Sequence, residues 1–332
     1  MRATSRTAHT TRTRTTGAGR TRRHRTARTV GAAVTLALGV AGLTAPAAQA
    51  GAQRAESRLA FVRSGEIYTA TLSGTHVRRL TGGAGSSFRP HWSPGGERIA
   101  YVHETPAGSR DVWVMRADGS HKRQVTHLGD TTEPSWSPDG RRLAFGGGGA
   151  APYGTRGAPL MTVRSSAPFG SPTVLTGVDG EDPLVLNSLA FSPDGTRIAY
   201  YSDSFPDSPD HYLLIYTRAT QEVSLVDLIG GECCGEGYFG DPTWTPDGAD
   251  VAYTQLRQGL DGTSPTKPVI TVRSATTGDP VPFTSLRGDA DPDYSPSGTQ
   301  LVFRRLGYVV RAHADGTHRD RLLRGAQPDW RP

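Results

Sequence analysis

Pro134–Gly140 reads PSWSPDG, and three other stretches repeat its plan: PHWSPGG from Pro90, PTWTPDG from Pro242 and PDYSPSG from Pro292. In each, an aromatic residue precedes a Ser/Thr-Pro-x-Gly turn. Proline presets φ, Asp or Ser bonds to nearby backbone, and glycine takes the positive φ that reverses the chain. A further copy, PDWRP at Pro328–Pro332, carries the aromatic without the turn. Phe191, ahead of Ser192–Gly195, completes a set of six anchors: Trp92, Trp136, Phe191, Trp244, Tyr294 and Trp330, spaced 44, 55, 53, 50 and 36 residues apart. Recurrence at such periods marks a repeat architecture, and six anchors imply six units.

Behind each complete turn comes an apolar strand: RIAYV at Arg98, RLAFG at Arg142, RIAYY at Arg197, DVAYT at Asp250 and QLVFR at Gln300. A third strand follows (DVWVM, PLMTV, YLLIY, PVITV or GYVVR), then a fourth that closes on an apolar residue and Thr: Leu80-Thr81, Val125-Thr126, Leu175-Thr176, Phe283-Thr284. Four short strands per unit and no long amphipathic helix predict an all-β fold, a six-bladed β-propeller. RLAFV, Arg58 to Val62, is a second strand without a first, and PDWRP is a first strand without a second. Paired, the C-terminal and N-terminal strands complete the sixth blade, close the ring and remove exposed sheet edges.

The order Trp-Ser-Pro-Asp-Gly, apolar strand, Asp-Gly and Leu-Thr resembles the TolB-type (WD40-like) β-propeller repeat, over Arg58 to Pro332. TolB is a periplasmic protein that binds partner proteins, so the resemblance implies an extracytoplasmic propeller that binds another molecule. It extends to the propeller part only, because too few residues precede the first blade to match TolB's separate N-terminal domain.

The net charge of +6 and pI near 9.5 suggest an acidic partner, but the basicity is local. Residues 1–50 hold nine arginines and no acid, leaving 28 of the 37 Lys+Arg against all 31 Asp+Glu, a net of −3. A nucleic-acid partner is therefore not expected, since phosphate attraction needs the positive charge on the folded part. Residues 1–50 read as a signal peptide: an Arg/Thr-rich region to Arg28, an apolar stretch from Val30 to Leu43, and Ala48-Gln49-Ala50 in the small-x-small pattern of cleavage sites. Arg22-Arg23 also permits a twin-arginine route. The apolar stretch is shorter than the roughly 20 residues a bilayer requires, so no stable membrane insertion is expected after cleavage. The domain plan is a signal peptide over 1–50, a short linker over 51–57 and the propeller over 58–332, secreted or otherwise outside the cytoplasm.

Strand order assigns the tight turns to one end of the ring and the insertions, such as GGGGAAPYGTRGA from Gly146 and QLRQGLDGTSPTK from Gln255, to the other. Variable loops on a rigid frame are where binding residues are usually carried. At that end the residue before each first-strand proline, or its equivalent, should ring the channel mouth: Arg89, Glu133, Ser188, Asp241, Asp291 and Gln327. With acidic residues crowding nearby, such a mouth favours a cation or a basic partner segment.

Other motifs carry less. Cys233-Cys234 are the sole cysteines and adjacent; an exported pair is expected to oxidise, so they form a disulfide candidate, with free thiols or a thiol pair on a soft metal as the alternatives. Asp289-x-Asp291-x-Asp293 suits a hard cation such as Ca²⁺, yet Gln300 stands where a bidentate Glu belongs, and a structural connector is the stronger reading. No zinc-type His spacing and no Gly-x-Ser-x-Gly elbow occur. The expectation is an exported, non-catalytic binding module, without a cofactor, for a protein, peptide or cell-envelope ligand at the loop-rich mouth. The alternative is a polysaccharide lyase or hydrolase with a metal- or carboxylate-based site in the channel, which needs acid and base groups converging at one depth.

Overall fold

The tight turns close as their residues demand. Ser137 N–H donates to Arg142 O (3.0 Å) and Gly140 N–H to Ser137 O (2.8 Å). Ser137 Oγ donates to Asp139 (2.6 Å) while accepting Arg142 N–H (2.9 Å). The same construction recurs at Ser192 and Thr245. The glycines closing the five turns sit at φ of 66° to 71°, where a Cβ would be strained.

The computed structural model describes residues 59–147, 159–176, 185–203, 210–229, 237–257 and 267–332. The expected signal peptide, the linker with Arg58, and Cys233-Cys234 lie outside them. The described strands form six antiparallel sheets, five of four strands and one of three. Blade 1 comprises Ser86–Trp92, Arg98–Glu104, Arg110–Arg116 and Arg123–Gln124; blade 2 comprises Ser135–Trp136, Arg142–Gly146, Leu160–Arg164 and Thr173–Thr176. Val185–Phe191, Arg197–Asp203, His211–Thr217 and Glu222–Ile229 make blade 3, and Gly237–Trp244, Asp250–Arg257 and Val269–Ser274 make blade 4. Blade 5 holds Asp289–Tyr294, Gln300–Arg305, Tyr308–His313 and Asp320–Arg324. The sixth places Ala326–Trp330 beside Leu59–Arg63, followed by Glu66–Ala70 and Arg78–Arg79.

The ring closes as the two half-repeats predict. Leu59 pairs with Trp330 and Ala60 with Asp329, and Phe61 and Trp330 share one buried cluster with Val302 of blade 5. All six anchors lie between blades: Trp136, for example, packs with Ala100, Val112 and Val114 of blade 1 and Leu143 and Phe145 of its own blade.

The fourth strand expected at Phe283-Thr284 is absent. Pro280 makes an isolated bridge to Arg273 and Val281 N–H reaches Val272 O (2.9 Å), but Pro280 and Pro282 have no N–H to offer a ladder. Ser285 instead performs the task of the closing threonine, accepting Ile270 N–H (2.8 Å). Elsewhere that threonine is a splice between strands. Thr126 Oγ1 accepts Val112 N–H (2.9 Å) and donates to buried Asp111 (2.8 Å), and Thr81 does the same for Ile67 N–H and Glu66.

Candidate functional site: the central channel

Side chains of a strand alternate between faces, so residues two apart point the same way. In the first strands this places two tiers on the channel: the residue before the proline, and the one after it.

The upper tier is the predicted ring, and its members bond to one another. At Arg89, Asp241, Asp291 and Gln327 the backbone lies in the left-handed region, φ 48° to 54°, beside a shift of register in the strand pairing. Such a conformation costs of order 1 kcal/mol or more for a residue with a Cβ. The turned backbone aims each N–H at an acceptor. Arg89 N–H donates to Gln327 Oε1 (2.9 Å), Gln327 N–H to Asp291 Oδ2 (3.0 Å), Asp291 N–H to Thr254 Oγ1 (2.9 Å) and Asp241 N–H to Ser188 Oγ (2.9 Å). Thr254 Oγ1 donates to Asp241 (3.2 Å), and Ser188 Oγ to Glu133 (2.5 Å). Arg89 shuts the belt, reaching Glu133 of blade 2 (3.7 Å) and, three blades away, Asp241 of blade 4.

This arrangement changes the meaning of the acidic mouth. Arg89 compensates Glu133 and Asp241, and Arg304 binds both oxygens of Asp291 (2.7 and 3.3 Å). The cations those carboxylates call for come from the chain itself. Asp289, fully buried, is likewise held by Arg305 and Arg319 at 2.7 Å each. Arginines thus fill the places that a Ca²⁺ ion needs in the Asp289-x-Asp291 pair.

The lower tier is His91, Ser135, Ala190, Thr243, Asp293 and Asp329, which sequence reasoning passed over apart from weighing Asp293 as a cation ligand. His91 stands between two carboxylates, Nδ1 3.1 Å from Asp329 and Nε2 2.7 Å from Glu133. Burial works to lower its pKa, but the bonds to Asp329 and Glu133 prevail and push it up to about 10. Burial likewise opposes ionisation of Glu133, and the charge of Arg89 with the His91 bond overrides it, holding the carboxyl down at about 2. Asp293 has less such help, the charge of His91 acting on it only at a distance. Burial, then the charge of Asp329, raises it well above the carboxylate range, although it accepts Trp330 N–H (2.6 Å) and Thr243 Oγ1–H (3.2 Å). Burial raises Asp329 too, against the pull of His91.

Both tiers, Ser188 apart, line a cavity of about 330 Å³. Trp92, Trp136, Phe191 and Trp244 contribute to its walls, and Pro94, Pro138 and Pro193 of the tight turns ring its far end. No group of three or more His, Cys, Asp or Glu suited to a metal ion occurs among the described residues.

No protein-family model matches the sequence, and neither does any curated protein. Solved structures do. TolB from Acinetobacter baumannii matches with a TM-score of 0.62 at 20% identity, over 83% of this chain and 67% of that one. A putative TolB from Agrobacterium tumefaciens gives 0.55 at 18% identity, over 82% and 91%. The fold is the TolB-type propeller. A chain of the nidogen/laminin complex shares the architecture too, with a TM-score of 0.60 at 9% identity, over 83% of this chain and 98% of that one. At these identities the likeness is one of frame, and a TolB-type propeller hosts its function in what is grafted onto the frame.

Proposed function

We propose that this TolB-type propeller is an exported, non-catalytic binding module that takes a protein, peptide or cell-envelope ligand at the loop-rich end of its channel. The observation that carries the reading is the contrast between the two ends. Five near-identical tight turns finish one end, while at the other the second-to-third connections range from Ser64-Gly65 and Leu306-Gly307 to the long segments between Gly146 and Leu160 and between Arg257 and Val269. Uniform turns serve the frame, and divergent loops serve recognition. The TolB-type resemblance supports an extracytoplasmic location, and a chain of the nidogen/laminin complex supplies a precedent for protein binding on this frame. The test is a thermal-shift panel of cell-wall sugars and basic peptides, since a ligand that binds the folded state raises the midpoint. Replacing residues 204–209 and 258–266 by Gly/Ser linkers should abolish the shift; a shift that survives both replacements counts against the loop-rich end.

A second reading, a polysaccharide lyase or hydrolase, draws on the convergence of His91, Asp293, Asp329 and Glu133 on one cavity. Against it, His91 is held cationic and Glu133 anionic across the neutral range, whereas a general acid or base works best with a pKa near the working pH. Chain cleavage of an acidic polysaccharide that disappears in Asp293→Asn would reverse the ranking.

A further inference from the structure

The loop-rich end is not electrically even. On blades 5 and 6, where the connections shrink to two residues, four arginines gather whose guanidinium groups have no carboxylate partner among the described residues: Arg63, Arg287, Arg321 and Arg324. The acids near them are committed elsewhere. Asp289 binds Arg305 and Arg319, Asp291 binds Arg304, Asp320 binds Arg311 and Glu66 binds Arg79.

Backbone contacts make the four contiguous. Arg63 donates to Arg324 O through Nε (2.9 Å) and one terminal nitrogen (2.7 Å), across the seam between blades 5 and 6. Gly325 N–H donates to Gly307 O (3.0 Å), and Arg305 donates to Arg287 O (3.2 Å), which draws the Leu286–Gly288 loop alongside. Leu306 lies over Gly288, and it and Leu286 are 59% and 45% exposed. Tyr308 faces Arg324 across the strand pair, and the guanidinium carbons of Arg321 and Arg324 stand 4.6 and 5.4 Å from its ring centroid.

We propose that this shelf of arginines around Leu306 and Tyr308 is a docking surface for an acidic segment of a partner protein, one that sets apolar side chains among its carboxylates. Resting on the binding-module reading, the proposal names the charge and kind of partner. Guanidinium groups meet carboxylates in planar, two-pronged pairs. Arginine and tyrosine are enriched at the centres of protein-binding surfaces, and exposed apolar side chains such as Leu306 and Leu286 beside them exclude water from the charge pairs. Acidic glycans fit less well: sugar rings need an open aromatic face, and here two guanidinium groups cover the Tyr308 ring. The uncompensated charge also raises the association rate of an acidic partner, an effect that salt suppresses.

The test uses the full chain and labelled peptides repeating Glu-Glu-Leu, Glu-Glu-Ser and Lys-Lys-Leu, with polygalacturonate as the glycan arm. Glu-Glu-Leu should bind best, Lys-Lys-Leu should not bind, and added salt should weaken the complex. Arg287→Glu with Arg324→Glu should weaken Glu-Glu-Leu binding by at least about tenfold, while the chain still melts cooperatively with only a small fall in midpoint, because neither side chain holds an ion pair and only the exposed stacking of Arg324 on Tyr308 is given up. Equal binding by that double variant, tighter binding of polygalacturonate, or no binding of any acidic peptide each overturns the proposal. The variant leaves residues 204–209 and 258–266 intact, so failure here is separate from failure of the loop replacements that test the binding-module reading.

Discussion

His91 decides how the channel responds to pH. Its ordinary value of 6.5 rises to about 10 in the fold, so its stabilising contribution is whole below 6.5 and is lost as pH climbs through about 10. Glu133 moves from 4.5 to about 2, so its share is whole above 4.5 and is lost as pH falls through about 2. Both are fully present between 4.5 and 6.5. His91→Gln leaves Glu133 and Asp329 without their shared cation and should cost about 3 kcal/mol in urea denaturation, flattening the alkaline limb of the stability profile. Asp293 runs the opposite way: raised above 3.8, it favours the fold at low pH and costs stability as pH rises towards its folded value. Asp293→Asn should therefore melt higher than the parent at neutral pH, its amide oxygen accepting Trp330 N–H and its nitrogen donating to Thr243; a lower midpoint would show that the ionised form is the native one. The upper tier was legible, because proline marks the position. The lower tier was legible in principle from the two-residue period, since His91, Asp293 and Asp329 each stand two residues on from a ring member. What the sequence withheld is the pairing: Arg89 meets its counter-charges on blades 2 and 4, at separations that no local pattern encodes.

Among the described residues the same clamp between neighbouring elements appears three times. Arg98 of blade 1 lies 4.6 Å from the Trp136 ring centroid and donates to Gly140 O (3.1 Å), Arg197 of blade 3 treats Trp244 and Gly248 alike, and Arg331 does so for Trp92 and Gly96. Arg98 and Arg197 tie the start of one blade's second strand to the anchor and turn of the next, and Arg331 does so from just past the end of the sixth blade's first strand, Ala326–Trp330. Trp136→Ala should cost about 3 to 5 kcal/mol and Arg98→Ala about 1 to 2. A double-mutant cycle should show them non-additive, whereas simple additivity would mean that the arginine acts elsewhere. Thr126→Val strands the buried Val112 N–H and should cost about 1 to 3 kcal/mol. Turns and second strands were readable because their chemistry is local. The fourth strand of blade 4 was misread because apolar-Thr marks a splice that Ser285 can also make, and the prolines around Val281 remove the ladder that the motif otherwise accompanies.

At the scale of the molecule, closure rests on one five-residue strand. Removing Ala326–Pro332 uncovers the edge of Leu59–Arg63 and the core faces of Phe61 and Val302. The shortened chain should associate on size exclusion and lose its cooperative melt; a monomer that melts like the parent would contradict the shared blade. This closure was the most legible feature, because a repeat cut in two leaves complementary halves at its ends. Arg63 and Arg324, hydrogen-bonded across that seam, stand 261 positions apart in the chain. The first described strand is thus partnered by the last. Contacts so remote in sequence form slowly, and until they do an unpaired edge stays available to any neighbouring polypeptide. Nascent copies are consequently more vulnerable than mature ones, and a holding chaperone that shields Leu59–Arg63 during synthesis should raise yield without altering the melting point of the finished ring.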